Sequence, residues 1–417
     1  LNLFTLVFLI VLGGGIALHW WLDIRQQRHV RAHRDAVPDS FRDRVDLDAH
    51  RKAADYTVTK TRVGMLEDVF ALAVLLAWTL AGGLAALDAA WRQAGLPTVL
   101  SGTGLLLSML LIGGLLELPL DAWRTFGIER RFGFNRSTPR LFLIDTLKQA
   151  ALAVVIGAPL LYAVLWLMDR AGAAWWIDTW LVWLVFSVTL VWAYPAFIAP
   201  LFNRFTALDD PALKARIGAL LERQGVTAHE IWVMDGSRRS GHGNAYLAGL
   251  GKRRRIVIFD TLLEQLTPEE IEAVLAHELG HYKRRHVLKQ TVFGAVLAFL
   301  ALALLGLLRG QQWFFAGLGL SDPSAAAQLA VFLLVAPRFA IIVQPFAAWL
   351  SRRFEYQADA FAARAAKPRA LIEALVKLYR DNAATLTPDP LYSAFHDSHP
   401  PAPLRVAHLQ GYVEQET

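Results

Sequence analysis

No cysteine occurs among the 417 residues of this chain. Its absence excludes disulfides and Fe–S clusters, and it leaves any bound zinc only nitrogen and oxygen ligands from His, Asp or Glu. Charge is scarce as well: 19% of residues are charged against 55% hydrophobic, with a mean hydropathy of +0.36. A soluble enzyme of this size carries more charge and fewer than the 14 tryptophans present here, so the composition indicates a polytopic membrane protein. The first apolar run lacks a charged segment ahead of it and a small-residue cleavage site after it, where Trp20 and Trp21 stand instead. It therefore reads as a membrane span and not a signal peptide. A start on Leu1 suggests trimming or an unusual initiation. Internal repeats and low-complexity linkers are missing too. The net charge of +6 does not point to nucleic acid, because the basic residues collect in polar loops beside apolar runs, where anchoring explains them better.

A helix needs about 20 apolar residues to cross the hydrocarbon core. Seven runs qualify, at 1–22, 69–87, 97–116, 150–168, 179–202, 290–308 and 325–350. Arg and Lys crowd the segments "DIRQQRHVRAHR", "GIERRFGFNRSTPR", "GKRRR", "HYKRRH" and "SRRFEYQ", whereas the intervening loops hold little more than Arg92, Arg170 and Arg309. The positive-inside rule puts the rich set in the cytoplasm, and with seven spans the N-terminus lies outside. The host membrane is a bacterial inner membrane or the endoplasmic reticulum.

The organisation follows. Residues 1–202 carry spans one to five with polar loops at 23–68 and 121–148, and the stretch 23–62 is expected to be a solvated helical or irregular connector. Residues 203–289 form a small cytoplasmic α/β segment: an amphipathic helix "DPALKARIGALLERQG", strand-like runs "EIWVMD" and "RRIVIFD", and a hairpin turning at Gly251. Residues 290–350 hold spans six and seven, and 351–417 return to the same side.

The chemistry sits in "TPEEIEAVLAHELGHYKRRH". Thr267 as N-cap, Pro268 at N1 and Glu270 at N3 mark a helix start. His277 and His281, four residues apart, lie about 40° apart around that helix and face one point. Two neutral imidazoles in this HExxH spacing hold Zn²⁺, and Glu278 beside them is placed to take a proton from the attacking water. A third ligand is required. His286 follows His277 by nine residues, about 180° away on a continuous helix, and is expected to be solvated or interfacial and not a ligand. Glu355 in "RRFEYQADAFAAR" is the better candidate, with Asp359 one turn on to receive the second N–H of a ligand imidazole.

With these pieces in view the chain resembles the integral-membrane CAAX prenyl protease 1 family over nearly its full length. The resemblance rests on the seven spans, "ERRFGFNRST", "SGHGNAYLAG", "HELGH", "EYQADAFA" and "HPPAPLR". It implies a zinc endopeptidase, one Zn²⁺ per chain, whose helices enclose a large water-filled chamber with the active site at its cytoplasmic end. Eukaryotic members cut the C-terminal tripeptide from prenylated CAAX proteins. Alternation in "GHGNAYL", taken with the resemblance, makes that run an open strand edge for an extended peptide, with Asn244, His242 and Tyr246 as substrate-binding residues. His399 and Arg405 in "HDSHPPAPLR" become donors to the tetrahedral oxyanion or to a substrate carbonyl or carboxylate. Peptide or protein substrates and the bilayer are the expected partners, and nothing requires more than one copy of the chain.

Arg338, within span seven, should face a wet interior, because a lipid-facing charge at mid-membrane costs about 3 kcal/mol or more; Glu117 is one possible partner. Pro195, Pro200, Pro337 and Pro345 should kink their helices. A transporter or channel would also accommodate seven spans and an intramembrane Arg, but gives no reason for HELGH with Glu355 and Asp359. A catalytically silent scaffold gives no reason for Glu278. A quality-control protease acting on membrane proteins is the alternative within the same class.

Overall fold

The computed structural model describes residues 2–226, 230–248 and 255–416. Among the described residues, six helices are long and apolar enough to span a membrane, and a bent pair of helices makes a seventh. Their outer faces carry exposed Leu115, Val155, Val185 and Leu307, as lipid contact requires, while Phe8, Leu75, Leu84, Leu105, Leu106 and Met168 form the core between them.

The first span is longer than expected. Helix Leu3–Ala32 is capped by Asn2, whose side chain accepts from Thr5 N, and it carries its polar last turns well past residue 22. Helix Leu47–Trp78 starts with Asp46 accepting from Ala49 N. The stretch 23–62, expected to be a helical or irregular connector, is therefore mostly helical, the ends of two stalks. Arg34 joins them by two 2.8 Å hydrogen bonds to Asp55. Span two breaks between Trp78 and Gly83 and turns by 47° into helix Gly83–Gln93. The turn needs glycine: Gly82 has φ +82°, and a Cβ on Gly83 would lie 2.7 Å from the Ala77 carbonyl oxygen.

The prolines act as anticipated at irregular points. Pro195 lies in a π-turn, Tyr194–Ile198, and Pro200 in the short helix that follows, Ala199–Phe202. Pro337 lies in a 3₁₀ stretch, Ala336–Ile342, between helices Ala325–Val335 and Gln344–Ala365. The latter helix contains Pro345 and runs without a break to Glu355 and Asp359, which ties the site to span seven. Arg338 lines a cavity of about 870 Å³ together with His19 and Asp68, whereas Glu117 lines a separate cavity of about 1070 Å³. Asp68, not Glu117, is thus the acidic neighbour of Arg338.

Beyond the spans lies a four-stranded sheet of β1 (Phe205–Ala207), β2 (Glu230–Met234), β3 (Ala245–Ala248) and β4 (Arg255–Phe259), in the order β1-β2-β4-β3. β2 and β4 are parallel, and β3 pairs antiparallel with β4 in the register Ala245↔Ile258. The hairpin turn expected at Gly251 lies outside the described residues. Ile231, Ala245, Ile256 and Ile258 bury one face of the sheet against Ile217 and Leu220 of helix Pro211–Arg223 and Ile271, Leu275 and Leu279 of the HELGH helix. Each fully buried Leu or Ile among them contributes roughly 1.5–3 kcal/mol. Helices Pro368–Asp381 and Ala402–Glu416 close the same core from the other side.

Candidate active site

The HELGH helix, Pro268–Lys283, starts as its sequence prescribes. Glu270 N donates to Thr267 Oγ1 and Thr267 N donates to Glu270 Oε2 at 2.8 Å, with Pro268 at the first position. Glu270 is held in addition by Lys377 Nζ at 2.8 Å. Gly280 lets this helix lie directly on Gln344–Ala365: a Cβ there would stand 2.9 Å from Ala358 Cα. That contact brings the two halves of the site together.

His277 Nε2 and His281 Nε2 are 3.1 Å apart, and Glu355 places Oε2 3.5 Å from the first and Oε1 3.3 Å from the second. Two ligand atoms about 2.0–2.1 Å from a tetrahedral zinc stand about 3.3–3.4 Å apart, so the spacing fits. The proton positions fit as well. His277 Nδ1–H donates to Asp359 Oδ1 at 2.8 Å, which leaves its Nε2 lone pair directed at the cluster. Glu355 Oε2 is buried with no hydrogen-bond partner among the described residues, although the Arg405 guanidinium stands 3.6 Å away in ion-pair range. Convergent lone pairs and an unsatisfied buried carboxylate oxygen call for a cation.

The acidic neighbours favour positive charge at the cluster, carried by a proton on His277 that a bound metal would displace. Burial alone depresses the His277 imidazole, but the Asp359 and Glu355 carboxylates outweigh it and push it up to about 9. Burial works against ionised Glu355, yet the imidazoles of His277 and His281 hold it far below the usual carboxylate range. Asp359, fully buried, is raised by burial but lowered to about 2 by Arg405 and His277. Glu278, partly buried next to the pair, is pushed up by burial against the pull of His277 and His281. A carboxyl raised in this way is a better proton acceptor than a solvated one.

His399 extends the site from the loop after helix Pro390–His396, with Nε2 3.4 Å from Glu355 Oε1 and 61% of its side chain exposed. It opens on a cavity of about 540 Å³ shared with Tyr56, Lys60 and Asn382. Arg405 departs from expectation. Its guanidinium is buried, donates to both Asp359 oxygens at 2.9 and 2.6 Å, and so faces the back of His277 and not a substrate. A sequence signal existed for this: Ala402, Val406 and Leu409 mark the buried face of that helix, and Arg405 lies on it.

β3 is one of the two edge strands, with Asn244 exposed just ahead of it. His242 stacks on Phe134 at 4.4 Å and donates its Nδ1–H to Asn382 Oδ1, 3.0 Å away. It lines the 1070 Å³ cavity, which shares Tyr56 and Lys60 with the cavity at His399. Tyr246 points elsewhere, because alternation along β3 turns it opposite to buried Ala245, into a small pocket with Trp232, Pro195 and Pro200. His286, expected to be solvated or interfacial, is buried instead and approaches His281.

Residues 207–413 match Peptidase family M48, and residues 26–204 match the CAAX prenyl protease N-terminal family, described by five membrane helices. CAAX prenyl protease 1 of Saccharomyces cerevisiae is 32% identical over 91% of this chain and 89% of its own. The chain belongs to the CAAX prenyl protease 1 branch of peptidase family M48. Its human homologue is 30% identical over 94% of this M48 chain and 93% of its own. The crystal structure of S. mikatae Ste24p superposes with a TM-score of 0.89 at 29% identity, covering 98% of this chain and 99% of that one. The M48 chain is thus a membrane-embedded zinc metalloprotease, and neither a transporter nor a scaffold reading finds support among these matches.

Proposed function

We propose that this protease cuts peptide bonds near the C-terminus of membrane-associated, prenylated CAAX-type proteins, at a single zinc held by His277, His281 and Glu355. The observation that carries the reading is the convergence of those three ligand atoms, all within 4.8 Å of one another, beside Glu278 and next to an edge strand. Bound zinc supplies Lewis-acid polarisation of the scissile carbonyl and acidification of water. Glu278 then accepts the proton of the attacking water and passes it to the leaving amine. His399, accessible to substrate with 61% of its side chain exposed, donates to the developing oxyanion. Asp359 orients His277, and buried Arg405 holds Asp359 in place; neither touches substrate.

The peptide adds to β3 as a further strand. Asn244 positions its backbone and His242 lines the approach, whereas Tyr246 shapes the opposite face. Recognition therefore depends on extended backbone more than on side chains. The names of the relatives supply the substrate class, CAAX prenyl proteins. Cleavage of matched prenylated and unprenylated peptides by the purified protein tests it. A kcat/KM at least tenfold higher for the prenylated partner is expected; equal cleavage of both, or cleavage of unfolded membrane proteins instead, favours a quality-control protease.

The site faces the cytoplasm by the distribution of Arg and Lys. Asp39 lies beside Phe41 in the core of the site end, and Asp322 lies in the loop before span seven; both are highly exposed, at 89% and 97% of the side chain. Single cysteines at these positions should react with an impermeant thiol reagent from opposite sides, Asp322→Cys from outside. Labelling from one side would contradict the proposed topology. Asp359→Ala should lower zinc affinity or activity about 10–100-fold without abolishing either, as expected for a group that orients a ligand. A metal-competition titration unchanged from the parent would remove Asp359 from this role.

A further inference from the structure

We infer that His286, backed by Gln357, positions the second zinc imidazole and sets its tautomer, so that each ligand histidine has its own orienting partner. The inference rests on the zinc reading above.

The local backbone delivers His286 where a continuous helix could not. The HELGH helix stops at Lys283, Arg285 adopts φ 55° and ψ 40°, and a new helix begins at His286. This left-handed conformation is uncommon for a residue other than glycine. It turns His286 back toward the residues it would otherwise oppose. The ring is 1% exposed and lies flat on Phe354, 4.3 Å away with a 10° interplanar angle. Its Nε2 faces Gln357 Oε1 at 3.0 Å, and its Nδ1 faces His281 Nδ1 at 3.0 Å.

Proton accounting then fixes the chain. The Gln357 carbonyl oxygen can only accept, so His286 carries its proton on Nε2. Its bare Nδ1 accepts from His281 Nδ1–H. That leaves the lone pair of His281 on Nε2, the atom 3.1 Å from His277 Nε2 and 3.3 Å from Glu355 Oε1. The reverse arrangement, with the Gln357 amide turned over, would put a proton on His281 Nε2 and block it as a ligand. His277 receives the same treatment from Asp359, a carboxylate, and His281 receives it from a neutral acceptor. One imidazole is thus held by a charged partner and the other by a neutral one.

The test is zinc affinity, measured by competition with a fluorescent chelator on the full-length protein in detergent, with zinc content of the parent as reference. His286→Phe keeps the stack on Phe354 and removes the acceptor; Gln357→Leu removes the group that fixes the His286 tautomer; Gln357→Glu keeps an acceptor. His286→Phe and Gln357→Leu are expected to weaken zinc binding about 10–100-fold and to shift the visible absorption of the cobalt-substituted protein, while Gln357→Glu stays within about threefold of the parent. If His286→Phe fails to fold, Gln357→Leu against Gln357→Glu decides. Affinity within twofold of the parent in both His286→Phe and Gln357→Leu, or in Gln357→Leu alone where His286→Phe does not fold, overturns the inference and leaves the zinc site standing. A parent that binds no zinc overturns the zinc reading itself.

Discussion

Glu278→Gln should retain about one zinc per chain and lose about 10²–10⁴-fold in kcat. The amide keeps the volume and shape of the carboxylate, so the packing of the partly buried side chain on the HELGH helix is preserved. It contributes none of the three converging ligand atoms, which belong to His277, His281 and Glu355. What it removes is the proton acceptor, and general-base catalysis accounts for about 10²–10⁴-fold in rate. KM should change little, because substrate is held by the β3 edge and the cavity walls. Elemental analysis and single-turnover kinetics on the same preparation separate the two effects. Turnover near the parent rate would take Glu278 out of the mechanism.

Glu355→Ala should fail one step earlier, at the metal. Two imidazoles leave zinc one ligand short of the three-protein-ligand pattern of catalytic sites. Removing the carboxylate also removes the one negative group facing both Nε2 atoms, 3.5 and 3.3 Å away. Zinc content should fall below about a tenth of the parent's after dialysis, with activity lost in proportion. Asp359 and Arg405 keep their mutual hydrogen bonds in this variant, so the fold should persist, which circular dichroism checks. Stoichiometric zinc in Glu355→Ala would mean that another group is the third ligand.

Much of this site was legible from the sequence, where the determinants are local. The Thr267–Pro268–Glu270 start, the spacing of His277 and His281, and the placement of Glu355 and Asp359 one turn apart each follow from a single helix, and each stands where its helix requires. The parts that escaped depend on groups meeting from different elements. The Pro-rich run around Arg405 suggests a substrate-facing loop, whereas its place on the buried face of its helix sets it against Asp359. Nothing in "HYKRRH" announces a left-handed Arg285, so the sequence alone predicts a solvated or interfacial His286. Tyr246 shares a motif with Asn244 and His242, but alternation along β3 places it opposite Ala245. For the spans, hydropathy located every apolar run, but it could not see the break at Gly82 or the polar turns that carry the first helix on to Ala32.

The most direct measurement is anomalous diffraction from crystals of the zinc-loaded protein, collected on both sides of the zinc absorption edge. One peak per chain is expected, about 2.0–2.2 Å from His277 Nε2, His281 Nε2 and a carboxylate oxygen of Glu355. A peak ligated by His286, His399 or Glu278 in place of any of these three, or no peak at the cluster, would contradict the assignment of the site.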